Sequence, residues 1–345
     1  MTSLTRRPVG PMAILSLSLI LVLGMAGQPQ AAKSLRRIGM LTGTGPTDDR
    51  LRREAAFRRV LLERGYIEGQ DIEIVHRRAG GDFSLLRSHA QDLVQDPQMK
   101  VIVASSTEAV AAAKAETQTN QIPIVMTNVG DPVQRGFVVS LAQPGRNITG
   151  LSNVSDRLVG KLLELLRQAV PQLRGADPQQ RQVAVMHNGP HQPAHMPQLT
   201  VLRGVAAAHG ITLHAVQLNR AEEFDRAFND VLAAHPQALI VLSSALHFAH
   251  SRRIADFALT HQLPASSWAR TYAANGLLMA YGPNEEHIFE RAAHYVDRLL
   301  KGAKPADTPV EQPMAFELVI NQRTAQQLDL TLPPALYLLA TEVIR

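Results

Sequence analysis

Three hydroxyl residues stand in a row where this chain changes from a predicted strand to a predicted helix. Val101 to Ala104 is a short apolar run, and Ser105, Ser106 and Thr107 follow it directly. Hydroxyl groups and free backbone N–H groups at a helix N-terminus form an anion site, for example for a carboxylate. A plain N-cap, in which a hydroxyl satisfies its own helix, explains the same residues equally well. The sequence leaves both interpretations open.

Two polar residues follow the next predicted strand, Ile122 to Thr127. Asn128 and Asp131 belong to the turn Asn128-Val129-Gly130-Asp131-Pro132. The carboxylate of Asp131 suits a ligand ammonium, and it suits equally well the N-terminus of a short helix that we expect to begin near Pro132. Both residues are therefore candidate ligand contacts.

A glycine-containing turn, residues 42–46, follows the first predicted strand. Its glycines let backbone N–H groups approach a ligand closely, so Thr42, Gly43 and Thr44 are candidate contacts. The spacing also suggests a dinucleotide fingerprint, but Asp48 stands where the third glycine is required and the proline at 46 removes a donor. We therefore expect no nucleotide and no other cofactor.

Four further candidates lie in the second half of the chain. Asn188 and Ser244 each directly follow a predicted apolar strand. Trp268 and Tyr281 lie at the ends of later strands, where an aromatic ring can stack on an aromatic or heterocyclic ligand. Core packing explains the single tryptophan at least as well.

Other residue patterns that carry chemistry are weak or missing. His187, His191 and His195 recur every four residues, as in some zinc sites, but prolines interrupt the helix that would align them and no carboxylate completes a tetrahedral set. We expect a solvated loop there and no metal. The chain has no G-x-S-x-G elbow, no H-E-x-x-H and no G-K-[ST] loop. These absences argue against an enzyme.

The elements that must position these residues alternate between strands and helices. Apolar runs such as Arg37 to Leu41 and Ile72 to His76 are separated by helical patterns such as Asp49 to Arg64 and Ser84 to Gln95. Alternation of this kind predicts parallel βαβ units with helices on both faces of a sheet. The fold class is therefore α/β.

A second series of the same kind follows Gly150, so we expect two doubly wound, Rossmann-like lobes joined by a multi-crossing hinge. Lobe 1 is placed at residues 36–148 and 277–308, with Leu277 to Tyr281 returning to it, and lobe 2 at residues 149–276 and 309–345. Open α/β sheets bind ligands outside the carboxyl ends of their strands. Two such lobes facing each other form a cleft that hinge motion can close.

The N-terminus has the composition of a secretory signal peptide. Arg6 and Arg7 precede the 12-residue apolar run Met12 to Leu23, and small residues follow it. A bilayer span needs about 20 apolar residues, so we expect cleavage after Ala26 or, preferably, Ala32, with a retained anchor or twin-arginine export as alternatives. The chain contains no cysteine, which a lipid anchor requires. These features predict a soluble periplasmic protein with a signal peptide at residues 1–32 and no lipid anchor.

The charge distribution gives no sign of a nucleic-acid partner. The formal net charge is +5 and aromatic residues make up 4% of the chain. The basic residues are scattered rather than clustered, so they do not form the electrostatic footprint of a nucleic-acid-binding protein.

Three segments resemble the family of ABC transporter substrate-binding proteins, which includes tryptophan/tyrosine-type solute receptors. They are Gln121 to Ser152, Phe57 to Gln70, and the block from Gly276 to the C-terminus, where PVEQP, FELVIN and LTLPP occur in the family's order and spacing. The chain departs from the family's Gly-Thr-Pro-type turn at residues 106–108 and from its Asp-Pro-Phe-type turn at residues 244–246. The resemblance implies a type I periplasmic binding fold.

The resemblance also implies binding without chemistry. Such a receptor captures a small solute, with an amino acid or a related aromatic compound favoured, and delivers it as a monomer to ABC transporter permease subunits. The sequence leaves two alternatives open: a ligand-binding module for a sensor kinase or chemoreceptor, and an exported α/β hydrolase.

Overall fold

Two sheets organise the chain in the computed structural model, which describes residues 1–2, 35–45, 48–153, 155–189, 192 and 195–345. The expected signal peptide lies outside these ranges except for its first two residues. The residues Ser34–Arg345 contact one another throughout and form one compact unit. Within the described ranges, no helix has the length and apolar character needed to cross a membrane.

The first sheet contains five parallel strands in the order β2-β1-β3-β4-β5. Helices cover both of its faces, and together they form what we call the first lobe. Its strands are β1 (Arg36–Thr42), β2 (Ile72–Arg78), β3 (Met99–Ser105), β4 (Ile124–Gly130) and β5 (Ile148–Asn153), and its helices are α1 (Asp48–Glu63), α2 (Leu86–Val94) and α3 (Thr107–Glu116).

The second sheet contains seven strands in the order β12-β11-β10-β9-β8-β6-β7, and β10 and β11 form its antiparallel pair. With its helices it forms the second lobe. Its strands are β6 (Gln182–His187), β7 (Thr212–Gln217), β8 (Ala238–Val241), β9 (Ala265–Ser267), β10 (Met279–Pro283), β11 (Phe316–Asn321) and β12 (Glu342–Ile344). The helices of this part are α4 (Ser155–Ala169), α5 (His195–Ala208), α6 (Phe224–Ala233), α7 (Ala245–Ala249), α8 (Ser251–Thr260), α9 (Arg270–Ala274), α11 (Gln322–Gln327) and α12 (Pro334–Leu339), and α10 (Glu285–Leu300) lies between β10 and β11 in the chain.

The central strands of the first lobe, β1, β3 and β4, are buried on both faces, which explains their near-continuous apolar sequences. Ile38 of β1 packs in one core with Phe57 of α1 and Phe289 of α10, whereas Leu41 packs in the other core with Leu93 of α2. The carboxyl ends of these strands are thereby held in one fixed row.

The chain crosses between the lobes three times within the described residues: after Asn153, at Asn284, and between residues 311 and 316. Two of the expected crossings need correction. The strand at Leu277 to Tyr281 does not return to the first lobe, because β10 pairs with β9 and β11 in the second sheet; the return begins with α10, which packs on the first sheet. The first crossing also comes later than residue 148, because β5 pairs with β4. The other lobe limits stay predictions.

The helix expected after Pro132 is a turn instead. Asp131 Oδ1 accepts a hydrogen bond from the backbone N of Gln134 at 3.0 Å, and Gly136 N donates to Val133 O at 2.9 Å. Gly136 has a positive φ of 64°, which ends the helical direction after a single turn. Asp131 therefore stabilises a turn rather than a helix.

Candidate ligand-binding site

A cavity of about 140 Å³ lies between the two lobes, at the carboxyl ends of their strands. This is where open α/β sheets bind ligands. Its lining residues are Gly43, Thr44, Arg50, Arg53, Phe83, Ser105, Ser106, Thr107, Glu108, Asn128, Gly130, Arg135, Asn153, Gln192, Gln198, Ser243, Ser244, Phe248, Trp268 and Glu285. Both lobes contribute polar and aromatic side chains, so a ligand held here would touch both.

Ser106 combines a capping role with strained backbone. Its Oγ accepts a hydrogen bond from Ala109 N at 3.2 Å, so the N-cap interpretation is confirmed for this residue. Its backbone angles, φ 122° and ψ 163°, fall in a region that is nearly restricted to glycine. Ser106 also lines the cavity, and strain of this kind is found most often at binding sites.

We expect Ser106→Gly to stabilise the fold and to weaken ligand binding. Relief of strain worth about 1–3 kcal/mol exceeds the few tenths lost when glycine replaces a serine cap, so the free energy of unfolding should rise by about 1 kcal/mol. The cavity loses the Oγ hydroxyl at the same time. Urea unfolding and a ligand titration on the same preparation measure both effects, and a less stable variant would contradict the strain.

Asn128 is a second cavity residue with left-handed backbone, at φ 58°, a conformation that asparagine tolerates. The register between β4 and β5 shifts between Met126 and Val129, so β4 continues to Gly130 instead of ending at Thr127. The side-chain Nδ2 of Asn128 donates to Glu285 Oε1 at 3.1 Å. This bond ties the end of β4 to the first turn of α10.

Two arginines of α1 reach the cavity from one face of the helix, because residues three apart are neighbours on a helix surface. Arg53 Nη2 lies 2.8 Å from Glu285 Oε2, an ion pair without hydrogen-bond alignment. Arg50 Nη2 donates to Thr44 Oγ1. Burial, followed by the positive charge of Arg53, lowers the pKa of Arg50 to about 10. Arg50 still carries its charge at neutral pH, and an anion in the cavity would stabilise it.

Hydroxyl groups of the loop after β8 form the facing wall. Ser243 Oγ lies 3.0 Å from the hydroxyl of the buried Tyr272. Ser244 Oγ accepts a hydrogen bond from His247 N at 3.1 Å and so caps α7. Both serines line the cavity, and their positions are fixed by these bonds before any ligand binds.

Three half-buried aromatic side chains line the cavity: Phe83 of the first lobe, and Phe248 and Trp268 of the second. Aromatic rings on both sides suit a flat apolar ligand group. Two glycines allow this arrangement. A Cβ at Gly282 would lie 2.0 Å from Trp268 O, and a Cβ at Gly43 would lie 2.3 Å from Phe83 Cε1.

We expect Gly43→Ala to push the Phe83 ring out of position and to weaken ligand binding with little change in stability, since the ring is only half-buried. One aromatic contact is worth about 0.5–1.5 kcal/mol, which corresponds to about 2- to 10-fold in affinity. Gly45→Ala is the matched control in the same loop, because the nearest heavy atom to its Cβ would be Gly80 Cα at 3.9 Å. Equal affinities for the two variants would contradict the role of Gly43.

The cavity brings together most of the residues predicted from sequence. Those that line it are Gly43, Thr44, Ser105, Ser106, Thr107, Asn128, Ser244 and Trp268. Thr42, Asp131, Asn188 and Tyr281 lie outside this lining. Thr42 Oγ1 donates to Thr44 O at 3.2 Å and Asn188 Nδ2 donates to Leu218 O at 2.6 Å, so both hold backbone in place. Tyr281 packs against the core of the second lobe.

Sequence reasoning missed the charged part of the cavity. The residues that it missed are Arg50, Arg53, Phe83, Glu108, Gly130, Arg135, Asn153, Gln192, Gln198, Ser243, Phe248 and Glu285. Gly130, Asn153 and Ser243 lie at the ends of strands or directly after them. The principle that ligands bind at the carboxyl ends of strands therefore also predicts these three residues. Arg50 and Arg53 lie inside a helix, where the sequence gives no signal of burial.

The histidines expected in a solvated loop are buried instead. His187 is 6% exposed and His195 is fully buried, while His191 lies outside the described residues. His195 Nδ1 accepts a hydrogen bond from Asn188 N at 2.9 Å, and its Nε2 lies 3.1 Å from Ser243 O. The ring thus links the loop after β6 to the loop after β8. Among the described residues, no group of three or more His, Cys, Asp or Glu residues is placed to hold a metal ion.

Comparison with known protein families identifies the family to which this two-lobed chain belongs. The family model described as ABC transporter substrate binding protein matches residues 47–344. The chain belongs to the family of ABC transporter substrate binding proteins. Proteins of this family bind small solutes, work with ABC transporter permeases and are not enzymes. The expectation that this chain is a binding protein and not an enzyme is confirmed.

Individual proteins are similar to this chain along most of its length. A tyrosine-binding protein of Clostridioides difficile (strain R20291) is 26% identical over 280 residues, which are 79% of this chain and 75% of that protein. A solved Vibrio cholerae conserved domain protein is 26% identical with a TM-score of 0.78, covering 89% of this chain and 99% of that chain. An ABC domain of Streptococcus pneumoniae in complex with L-Trp is 22% identical with a TM-score of 0.78, covering 90% of this chain and 100% of that chain.

The similar solved structures have the type I periplasmic binding fold, and the two doubly wound lobes of this chain have that fold. The predicted fold class is confirmed.

Proposed function

We propose that this protein is the solute receptor of an ABC importer and that it captures a small aromatic solute, an amino acid or a related compound, between its lobes. The observation that carries the proposal is the interlobe cavity, to which both lobes contribute aromatic and polar side chains. The tyrosine-binding relative and the L-Trp complex support an aromatic ligand. The permease would recognise the closed form.

Hinge closure gives such a receptor its selectivity. A ligand shifts the balance between open and closed forms only if it binds one of them more tightly. Phe83 belongs to one lobe and Trp268 to the other, so a solute touches both rings only when the lobes are together. The free energy of these contacts with the ligand thereby stabilises the closed form relative to the open form.

Three residues hold the lobes together outside the cavity, and we call them the interlobe clamp. Asp49 of α1 lies 2.8 Å from Arg270 Nη1 of α9 and accepts a hydrogen bond from the Thr271 hydroxyl. Burial opposes the ionisation of Asp49, but the bond from Thr271 and the charge of Arg270 outweigh it, so its pKa lies below the ordinary value. The clamp is therefore charged at neutral pH and favours the closed form.

We expect Asp49→Asn to favour the open form and to weaken ligand binding about ten-fold, because charge-assisted hydrogen bonds are worth about 1.5–3 kcal/mol and only part of this acts on closure. Small-angle X-ray scattering of the ligand-free variant should give a larger radius of gyration. Asp225→Asn is the control, since Asp225 forms an exposed pair with Arg253. An unchanged radius and affinity in Asp49→Asn would contradict the clamp.

We further propose that the protein works in the periplasm as a monomer, exported by a cleavable signal peptide in residues 1–32 and without a lipid anchor. The apolar run Met12 to Leu23 supports the signal peptide, and the lack of cysteine supports the absence of a lipid anchor. The intact mass of the exported protein tests it, because cleavage after Ala32 leaves a chain that begins at Lys33.

A thermal-shift screen tests the receptor function. The chain from Lys33 is unfolded and refolded to remove carried ligand, and is then heated with amino acids, aromatic acids, nucleobases, sugars and polyamines. A ligand at 100 times its dissociation constant adds about 2.7 kcal/mol, which should raise the melting temperature by several degrees. We expect a hit among aromatic solutes, recovered unchanged after incubation. A hit that is consumed, or no hit in any class, would contradict the proposal.

A further inference from the structure

The cavity carries more positive than negative charge. Among the described residues that line it, Arg50, Arg53 and Arg135 are cationic and Glu108 and Glu285 are anionic. The cavity also receives the N-terminal end of α3, whose backbone N–H groups and helix dipole favour negative charge. An uncharged or zwitterionic ligand leaves this excess uncompensated, whereas a monoanion balances it.

Neither carboxylate is well placed to hold a ligand ammonium. Glu285 Oε2 is already paired with Arg53 at 2.8 Å, and its Oε1 accepts from Asn128 at 3.1 Å. Glu108 lies in the first turn of α3, where the helix dipole partly balances its charge. Recognition of an ammonium needs a carboxylate whose charge is not already compensated, and among the described residues that line the cavity none offers this partner.

Arg135 is the residue best placed to receive a carboxylate. It stands on the turn that follows β4, half-buried, and its Nε donates to Gly130 O at 2.7 Å. Arg135 lines the cavity, and among the described residues no carboxylate forms an ion pair with it. With Nε fixed to the backbone, the terminal nitrogens of the fork can bind a carboxylate in bidentate fashion.

The rest of the cavity suits one aromatic ring. Phe83, Phe248 and Trp268 line it from both lobes. Its volume of about 140 Å³ is close to that of a cavity of about 150 Å³ that accepts benzene. A single aromatic ring therefore matches the size, and an acidic group attached to it matches the charge.

We propose that the ligand is an aromatic carboxylate without an α-ammonium group, with its carboxylate on Arg135 and its ring between Phe83 and Trp268. This inference rests on the proposed receptor function and specifies its solute class. An aromatic amino acid presents the same ring and carboxylate, but its ammonium adds a positive charge beside Arg50 and Arg53. The α-ammonium is therefore the group that the cavity selects against.

Calorimetric titration of the refolded chain with matched trios tests the proposal. One trio is 3-phenylpropanoate, L-phenylalanine and phenethylamine; the second is 3-(4-hydroxyphenyl)propanoate, L-tyrosine and tyramine; the third is indole-3-propanoate, L-tryptophan and tryptamine. In at least one trio the acid should bind ten-fold or more tightly than the amino acid, and the amine should not bind. Amino acids that bind as tightly as the acids would overturn the inference and leave the receptor function standing. No binding by any member would remove both.

Two substitutions test separately whether Arg135 binds the ligand carboxylate and whether Glu108 binds a ligand ammonium. Arg135→Gln should lower the affinity for the acid by ten-fold or more, and Glu108→Gln should leave it unchanged or raise it. If Glu108 held an ammonium, Glu108→Gln would instead abolish amino acid binding, which would contradict the proposal. Arg87→Gln is the control, because Arg87 is 81% exposed and paired with Glu116 on the surface. Unchanged acid affinity in a folded Arg135→Gln variant would overturn the assignment of the carboxylate.

Discussion

Glu285→Ala is expected to lower the free energy of unfolding by about 3 kcal/mol or more, because it leaves the buried charge of Arg53 without its partner. The exposed fractions of the Arg53 and Glu285 side chains are 5% and 10%. The substitution also removes the acceptor for Asn128 Nδ2, so the end of β4 loses its tie to α10. Urea unfolding measures the effect, and ligand binding should be lost in parallel.

The neighbouring residue provides a matched control. Glu286 pairs with Arg52 at 3.4 Å, with both side chains 44% exposed, and exposed pairs contribute about 0–1 kcal/mol. Glu286→Ala should therefore change stability by less than about 1 kcal/mol. Replacing both Arg53 and Glu285 by methionine should recover much of the loss, because no buried charge is left alone. Equal effects of Glu285→Ala and Glu286→Ala would show that the buried pair is not important for stability.

Acid is expected to destabilise the fold through two histidines of the second lobe. Burial lowers the pKa of His195 to about 3 and that of His247 to about 4, from an ordinary value of 6.5. His195 cannot take up a proton at Nδ1 without losing the hydrogen bond from Asn188 N. The unfolded chain binds these protons near pH 6.5 and the folded chain does not. Their stabilising contribution is therefore complete above pH 6.5 and is lost as the pH falls towards 4.

One carboxyl group acts in the opposite direction. Burial, followed by the charge of Glu285, raises the pKa of Glu317 to about 7. The folded chain keeps this proton where the unfolded chain releases it, so the contribution of Glu317 falls as the pH rises from about 4.5 to 7. Between these pH values the proton held by Glu317 in the folded chain offsets about one of the two protons that the histidines bind only in the unfolded chain.

Urea unfolding at intervals between pH 4.5 and 6.5 measures the balance. These three groups should give a slope of about 1.4 kcal/mol per pH unit, with stability rising as the pH rises. Glu317→Gln should raise the measured slope by about 1.4 kcal/mol per pH unit, and His195→Gln should lower it by about the same amount. If neither variant changed the slope, the claim that these histidines are neutral in the folded chain would be contradicted.

The strands could be predicted from sequence because burial on both faces gives them a strong apolar signal. The predicted strand Arg37 to Leu41 falls within β1, and Val101 to Ala104 falls within β3. The pairing of strands could not be predicted in the same way. β10 lies antiparallel to β11 in the second sheet, but nothing in the run from Leu277 to Tyr281 says which sheet it joins.

Loop residues of the cavity could be predicted because they directly follow strands. Ser106 and Asn128 are predicted in this way, although a serine gives no sign of the positive φ angle that Ser106 adopts. Arg50 and Arg53 could not be found. They lie in the charged sequence DDRLRREAAFRR of α1, which is typical of a solvated helix face. Thr44, which pairs with Arg50, is uncharged, and Glu285, which pairs with Arg53, lies far away in the sequence, so neither partner gives a local signal.

The single tryptophan of the chain is a built-in reporter for the central claim, that solute binds between the lobes. Trp268 is the only tryptophan in the sequence, and it lines the cavity. The most direct measurement is its fluorescence during titration of the refolded chain with a ligand from the thermal-shift screen. We predict a saturable change at one ligand per chain, together with loss of access to a soluble quencher. A ligand that binds by calorimetry but leaves the Trp268 emission and quenching unchanged would contradict the site.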